Sequence, residues 1–179
     1  IIRNISGENS TPIKIYVEDD FSKAIVKTLV RKHKMSAKVS IRRFGAATNA
    51  FTCAAAQVMT NSELENTLFV LDGDVYRTLE EKTVQINRAY SGSESDIDLH
   101  RTQALSCITQ YVLPENCAPE KFMHSCLIKC GKDNEIVTCA MGIRAVDDTH
   151  QFISEICNTL HEEMDSLVAQ IVSLIEDQE

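Results

Sequence analysis

Apolar and polar positions in the first half of the chain follow a pattern that predicts three strands separated by helices. The predicted strands span residues 12–17, 38–44 and 67–71, and they are rich in β-branched and aromatic residues. Apolar residues at helical spacing follow the first strand from residue 21 onward, and an alanine-rich segment at 45–59 follows the second. Strands and helices that alternate in this way are typical of an α/β fold with an open, mainly parallel sheet of about four strands flanked by helices.

The pattern is weaker after residue 74. We expect a helix over 98–109, a short fourth strand over 111–114 that is stopped by proline, and a helix that begins near Pro119. Residues 75–95 show no clear period, and their polar end predicts a mobile loop. Residues 1–11 are a polar lead-in without periodicity.

Near the end of the chain, apolar residues from position 152 onward repeat at about 3.6 positions, as in a helix. A continuous helix of about 29 residues would be about 43 Å long, more than a small α/β layer needs, so part of it would pack on another subunit or a missing domain. The alternative is a broken helix that folds back on the core and leaves His150 and His161 on the surface. We therefore expect one domain over 12–135 and a helical segment over 145–179.

Composition narrows the class of protein. The chain has 179 residues, 44% of them hydrophobic, which suits one core with an appendage. Its net charge of −8 argues against a general polyanion binder. We find neither a membrane-length apolar stretch nor a secretory signal, and we expect a cytoplasmic protein without a membrane partner. A first residue of Ile1 rather than Met indicates a fragment or a processed chain.

Seven cysteines, an odd number without a C-x-x-C pair, argue against a disulfide framework. One alternative is a zinc set of His124, Cys126 and Cys130 with Cys117 or Cys139. These spacings match none of the common zinc-ligand patterns. Free thiols are the preferred interpretation.

Acidic residues follow the first and third predicted strands. The first strand is followed by Glu18, Asp19 and Asp20, and the third by Asp72, Gly73 and Asp74. Alternation along an extended chain points both aspartates of the second group the same way, and Gly73 lets backbone or ligand come close. Because carboxyl ends of parallel strands share an edge, Glu18 is expected near them. Carboxylates held close together repel one another. This repulsion is usually relieved when one of them takes up a proton, because its pKa is raised, or when a cation binds between them.

Between these groups, residues 27–43 contain seven Lys or Arg and no acid. These cationic side chains could bind phosphate groups. Alternatively, they could belong to an exposed helix end, where cations complement the helix dipole. The residues expected to contact nucleic acid under the first interpretation are Lys32, Lys34, Lys38, Arg42 and Arg43.

The two acidic motifs support a resemblance to a known family. Residues 15–21 (Ile-Tyr-Val-Glu-Asp-Asp-Phe) and 71–74 (Leu-Asp-Gly-Asp), on a parallel layer, resemble a Toprim domain, in which a glutamate ends the first strand and Asp-x-Asp ends the third. With Val-Leu-Pro at 112–114 and Ala-Pro-Glu at 118–120, they are most similar to the C-terminal Toprim region of overcoming-lysogenization-defect (OLD) family nucleases. The resemblance covers about residues 12–127. One departure is Ser22, where many Toprim domains have an acid, which leaves open whether Asp19 or Asp20 joins the site.

This resemblance implies a nuclease that cleaves or nicks DNA with Mg²⁺ or Mn²⁺, of the two-metal type. Two ions about 4 Å apart can serve the attacking and leaving oxygens, and hard oxygen ligands suit these metals. The implied ligands are Glu18, Asp19, Asp20, Asp72, Asp74 and Glu120. A lysine to stabilise developing charge is also implied, with Lys129 and Lys132 as candidates by position. For Glu120, a favourable helix N-terminal carboxylate is the other interpretation.

The resemblance also implies partners. These are DNA and an N-terminal ABC-type ATPase domain outside this chain. A homodimer is expected on a separate ground, because part of a long C-terminal helix would pack on another subunit. No G-x-x-x-x-G-K-[ST] sequence occurs, so this chain is not expected to hydrolyse ATP.

A different class competes with the nuclease. Residues 17–20 also resemble the first-strand signature of response-regulator receiver domains, in which an acidic pair binds Mg²⁺ and an aspartate accepts phosphate, here Asp72. The repeated acid at Asp74, the long segment before Asp72 and the lack of a later Lys-Pro favour the nuclease. A catalytically silent Toprim binding module is a third possibility, suggested by Ser22.

Overall fold

The computed structural model describes residues 12–60 and 64–176. The polar lead-in at 1–11 and the helix break expected at 61–62 lie outside these ranges. The described residues form four parallel strands and eight helices, which confirms the predicted α/β class with an open parallel sheet.

The strands are β1 (Ile13–Val17), β2 (Val39–Arg43), β3 (Thr67–Leu71) and β4 (Ile108–Gln110). The helices are α1 (Asp20–Lys32), α2 (Thr48–Met59), α3 (Leu79–Ala89), α4 (Ile97–Ser106), α5 (Pro119–Cys130), α6 (Glu135–Gly142), α7 (Gln151–Leu160) and α8 (Met164–Glu176). The sheet order is β2-β1-β3-β4. Because the chain runs outward from β1 to β2 and then returns to the other side of β1, the strand order reverses between β1 and β3. In open α/β sheets, ligands bind at such a reversal, beyond the carboxyl ends of the strands.

Apolar layers cover both faces of the sheet. Phe51 of α2 and Ile86 of α3 pack with Phe69 and Leu71 of β3 on one face, and all four side chains are at most 1% exposed. On the opposite face, Val26 of α1 packs against the central strands. Because side chains alternate along a strand, Phe69 and Leu71 pack on one face of the sheet and Val70 packs on the other.

The fourth strand was predicted at the wrong place. It spans Ile108–Gln110 instead of 111–114, and the helix expected over 98–109 ends at Ser106. Ile108 is buried and pairs with Phe69, whereas Val112 is 90% exposed. The three-residue strand is too short to show an alternating pattern, and pairing with β3 decides its position.

Sequence reasoning also missed helix α3. Its Thr78 side chain accepts a hydrogen bond from the Glu81 backbone, and the Glu81 side chain accepts one from the Thr78 backbone. This capping box is visible in the sequence as Thr-x-x-Glu and was the available signal. Only Ile86 is buried along the helix, so the apolar period is faint.

The C-terminal segment forms two helices and not one. The continuous helix is wrong, because His161 ends α7 in the left-handed conformation with φ 55°. Ile156 of α7 and Leu167 of α8 are fully buried in a cluster with Phe21 of α1 and Leu127 of α5. The segment therefore packs on the α/β core, and no helix of the described residues has the length and apolar character needed to cross a membrane.

Candidate metal centre

The two acidic motifs meet at the reversal point of the sheet. Val17 pairs with Val70 in the β1–β3 register. Extending this register by one residue puts Glu18 beside Leu71, so Glu18 and Asp72 leave neighbouring strands at the same edge. The sheet therefore brings together the two motifs that the sequence separates by about fifty residues.

Asp72 is held in a buried position. Its side chain is 3% exposed, and its Oδ1 accepts a hydrogen bond from the Ser22 hydroxyl at 2.5 Å. Burial raises the pKa of Asp72 to about 6, opposed by the Ser22 hydrogen bond and reinforced by the negative charges of Asp19 and Asp74. Ser22, at the position where the resemblance leads one to expect an acid, is a hydrogen-bond donor to the site.

Glu18 carries an unsatisfied oxygen. Its Oε2 is buried and has no hydrogen-bond partner. Burial, together with the negative charges of Asp72 and Asp74, raises the pKa of Glu18 to about 7. A buried carboxylate oxygen without a donor is costly unless the group takes up a proton or a cation.

Gly73 is required by the turn between the two aspartates. Its φ is +87°, and a Cβ at this position would lie 2.2 Å from the Tyr111 carbonyl oxygen. The expected close approach of backbone therefore occurs, with Tyr111 after β4 as the partner. The Tyr111 hydroxyl is buried without a hydrogen-bond partner, and burial raises its pKa.

Glu120 joins this edge from helix α5. It is the second residue of that helix and is 1% exposed. Burial raises its pKa to about 7, although His150 acts in the opposite direction. Glu120 lies in the first turn of α5, where the helix dipole favours a carboxylate, and the negative charge of Asp19 also acts on it.

His150 is the site residue that sequence reasoning missed. Its Nδ1 lies 3.2 Å from each carboxylate oxygen of Glu120, and its Nε2 lies 3.4 Å from Oδ2 of Asp74. Burial lowers the pKa of His150, but the charges of Glu120, Asp148 and Asp74 outweigh it and the net pKa is raised. The expectation that His150 is only a surface residue is wrong. No sequence pattern marks it, since it lies in the loop before α7 and is brought in by packing.

Three helix N-termini surround the acids. Helix α1 begins after Asp19, α5 begins one residue before Glu120, and α7 begins directly after His150. The positive end of each helix dipole favours negative charge nearby. The backbone thus partly offsets the repulsion that the carboxylates exert on one another.

Of the two acids that the sequence left undecided, the structure brings Asp19 to the site. Asp19 caps α1 by accepting a hydrogen bond from the Ser22 backbone at 2.8 Å, and its charge acts on Asp72. Asp20 is 61% exposed and pairs with Arg43 at 2.5 Å. We therefore leave Asp20 out of the candidate ligand set.

Lys129 does not join the site. It is exposed in the last turn of α5, nine positions after Glu120, which is about 14 Å along the helix. Lys132 follows the end of the same helix. The structure therefore brings neither candidate lysine to the acids.

The basic residues divide between two edges of the sheet. Arg42 and Arg43 end β2 next to β1, at the edge of the acidic site. The other three, Lys32, Lys34 and Lys38, lie at the far end of α1 and before β2, about 20 Å away along the 13-residue helix. Lys32 also pairs with Glu176 of α8 at 2.5 Å. Of these five residues, Arg42 and Arg43 are the two at the acidic edge.

The zinc alternative gains no support. His124 is buried, its Nε2 lies 2.9 Å from the Ala140 carbonyl oxygen, and its ring stacks on Phe152. Within 12–60 and 64–176, no three His, Cys, Asp or Glu side chains are already arranged as a set of metal ligands. Binding of any ion at the acidic edge would therefore include side-chain rotation.

Comparisons with known proteins found no match to a protein-family model, to a curated protein or to a solved structure.

Proposed function

We propose that this chain is a divalent-metal-dependent nuclease of the Toprim type that cleaves or nicks DNA. One observation carries the proposal: Glu18 has a buried carboxylate oxygen without a partner beside the buried Asp72, at the reversal point of a parallel sheet. A half-satisfied glutamate beside a buried aspartate at that place suits a cation better than it suits a structural role.

The donor set favours a hard cation. Carboxylates of Glu18, Asp72 and Asp74, with Asp19 close by, are oxygen ligands of the kind that Mg²⁺ and Mn²⁺ prefer. A bound divalent ion would supply Lewis-acid stabilisation of the charge that develops on the phosphodiester. The protein residues hold these oxygens at one edge, and Ser22 orients Asp72.

DNA is the proposed substrate. The sequence resemblance and the exposed Arg42 and Arg43 at the acidic edge support this choice. Arginine side chains at the rim can bind phosphates on either side of the cleaved bond and position the strand. An N-terminal ATPase domain is a further part of the proposal that rests on the resemblance alone.

The receiver alternative suits the acidic edge less well than the nuclease does. Phosphate transfer to Asp72 would require an accessible carboxylate oxygen, whereas this side chain is 3% exposed and bound to Ser22. A single ion needs less space than a phosphodonor, so contact with the Asp72 oxygen that Ser22 does not occupy is a smaller demand.

Plasmid cleavage tests the proposal directly. Supercoiled plasmid should be nicked or cut with Mn²⁺ or Mg²⁺ and stay intact with a chelator. Glu18→Gln and Asp72→Asn should reduce the rate by about a hundredfold or more, as expected when a group that stabilises developing charge is lost. Asp98→Asn is the matched control, because Asp98 is 93% exposed on α4. Intact plasmid at high protein concentration with either metal would contradict the proposal.

A further inference from the structure

Glu120 and His150 form an acid–imidazole pair that the acidic motifs do not explain. The pair joins the first turn of α5 to the residue before α7, thirty positions apart. Glu120 is 1% exposed, whereas the His150 side chain is 38% exposed. The packing of these two helices therefore shields the carboxylate of the pair from water and leaves the imidazole partly accessible.

The contacts of its two nitrogens define the orientation of the His150 imidazole ring. Nδ1 faces both oxygens of Glu120 at 3.2 Å, an arrangement in which Nδ1 donates its hydrogen to the carboxylate. The other ring nitrogen, Nε2, faces Asp74 at 3.4 Å. His150 thus points one nitrogen at an orienting carboxylate and the other at a candidate ligand.

This is the arrangement of a metal-binding histidine. A histidine that binds a metal through one nitrogen commonly donates its other N–H to a carboxylate, which sets the tautomer and the ring orientation. Two neighbouring ligands about 2.1 Å from an octahedral ion lie about 3 Å apart. The 3.4 Å between Nε2 and the Asp74 oxygen is near that spacing.

We infer that His150 is a nitrogen ligand of the divalent ion through Nε2, with Glu120 orienting it from outside the ligand set. This inference rests on the proposed function and reassigns Glu120, which the resemblance implies as a ligand. Imidazole suits transition metals, whereas Mg²⁺ prefers oxygen alone. The site therefore selects Mn²⁺ over Mg²⁺, and the C-terminal helices supply part of the metal centre.

Pulsed electron paramagnetic resonance of bound Mn²⁺ tests this contact without an activity measurement. A directly bound imidazole couples its nitrogen-14 nucleus to the Mn²⁺ spin and modulates the echo. We expect this modulation in the wild-type chain and its loss in His150→Gln. His33→Gln is the matched control, since His33 is exposed at the end of α1, and it should keep the modulation.

Affinities measured by calorimetry give a second readout. Glu120→Gln and His150→Gln should each weaken Mn²⁺ binding by about tenfold or more, as for other orienting and ligating groups, while Mg²⁺ binding should change much less. Circular dichroism checks that each variant is folded, and His150→Asn replaces His150→Gln if that variant unfolds. An absence of nitrogen modulation in the wild-type chain would overturn the inference whether or not the variants fold.

The possible failures are distinguishable. Mn²⁺ bound without nitrogen modulation in the wild-type chain would overturn the histidine ligand and leave the metal-dependent function standing. Modulation that persists in His150→Gln would do the same. An absence of any Mn²⁺ or Mg²⁺ binding would overturn the proposed function and this inference together.

Discussion

Ser22 donates a hydrogen bond to Asp72 across fifty positions of sequence, and both side chains are buried. The bond ties the first turn of α1 to the end of β3, so the two halves of the acidic site are held in one geometry. It also lowers the pKa of Asp72 against the larger effect of burial. Ser22 therefore orients the site.

Ser22→Ala should destabilise the protein and weaken metal binding. A buried acid that loses its donor costs about 1–3 kcal/mol, and the pKa of Asp72 should rise further above its ordinary value. Urea unfolding and Mn²⁺ calorimetry measure the two effects. Ser125→Ala is the control, because Ser125 donates only to the Lys121 carbonyl within α5. Equal effects of the two substitutions would contradict the orienting role.

Gly73→Ala should disrupt the turn between the aspartates. The added Cβ would meet the Tyr111 carbonyl oxygen at 2.2 Å, in a backbone conformation with φ +87°. We expect a loss of more than about 2 kcal/mol in the free energy of unfolding. Gly142→Ala is the matched control at the end of α6, with no atom within 4 Å of the new Cβ, and it should be neutral or slightly stabilising. Similar stability of both variants would show that the turn can move.

Metal binding should strengthen as pH rises from about 5 to about 8. Without an ion, the pKa of Glu18 is about 7 and that of Asp72 about 6, against ordinary values of 4.5 and 3.8. The folded chain therefore holds more protons than the unfolded chain in this window, and its free energy of unfolding falls as pH rises through it. A bound ion must displace these protons, so its binding becomes easier as they leave.

Thermal unfolding with and without Mn²⁺ measures this dependence. A free concentration of a hundred times Kd stabilises by about 2.7 kcal/mol, which raises Tm by about 5 to 11 °C in a chain of this size. At a constant Mn²⁺ concentration, the rise in Tm that the metal causes should become larger as pH increases. In Glu18→Gln this rise should depend less on pH. An increment independent of pH would contradict the coupling of protons and metal.

Leu167→Ala should show that the C-terminal helices belong to the folded core. Leu167 of α8 is fully buried in the cluster shared with α1 and α5, so the cavity should cost about 2–5 kcal/mol. Leu99→Ala on α4, where Leu99 is 59% exposed, should change stability by about 0.5 kcal/mol or less. Denaturant unfolding compares them. A small effect at Leu167 would mean that α8 packs loosely on the core.

Arg42→Gln should weaken binding of DNA more than Lys34→Gln does. Arg42 lies at the acidic edge, and Lys34 lies beyond the far end of α1. Loss of one phosphate contact should reduce the slope of log affinity against log salt by about 0.9. Fluorescence anisotropy with duplex DNA and a chelator measures both variants. A larger loss of DNA affinity in Lys34→Gln than in Arg42→Gln would instead place the bound DNA near the lysines at the far end of α1.

The sequence by itself determined the first three strands and the helices that follow the first two. Their apolar periods are long enough to read, and β3 is predicted at its observed bounds. It also determined that acids follow β1 and β3, and the rule for parallel sheets then placed them at one edge. The local apolar period was short at β4, where pairing with β3 decided the position of the strand. At α3 the apolar period was faint, and the capping box was the remaining sequence signal.

Only the tertiary structure decided which polar groups complete the site. Asp19 and Asp20 are adjacent in sequence, yet the start of α1 turns one toward Asp72 and the other toward Arg43. His150 reaches Glu120 because α7 and α5 share an apolar cluster, and no local pattern encodes that approach. The physical reason is that local sequence sets the period and the ends of each element, while contacts between distant elements depend on how their buried faces pack.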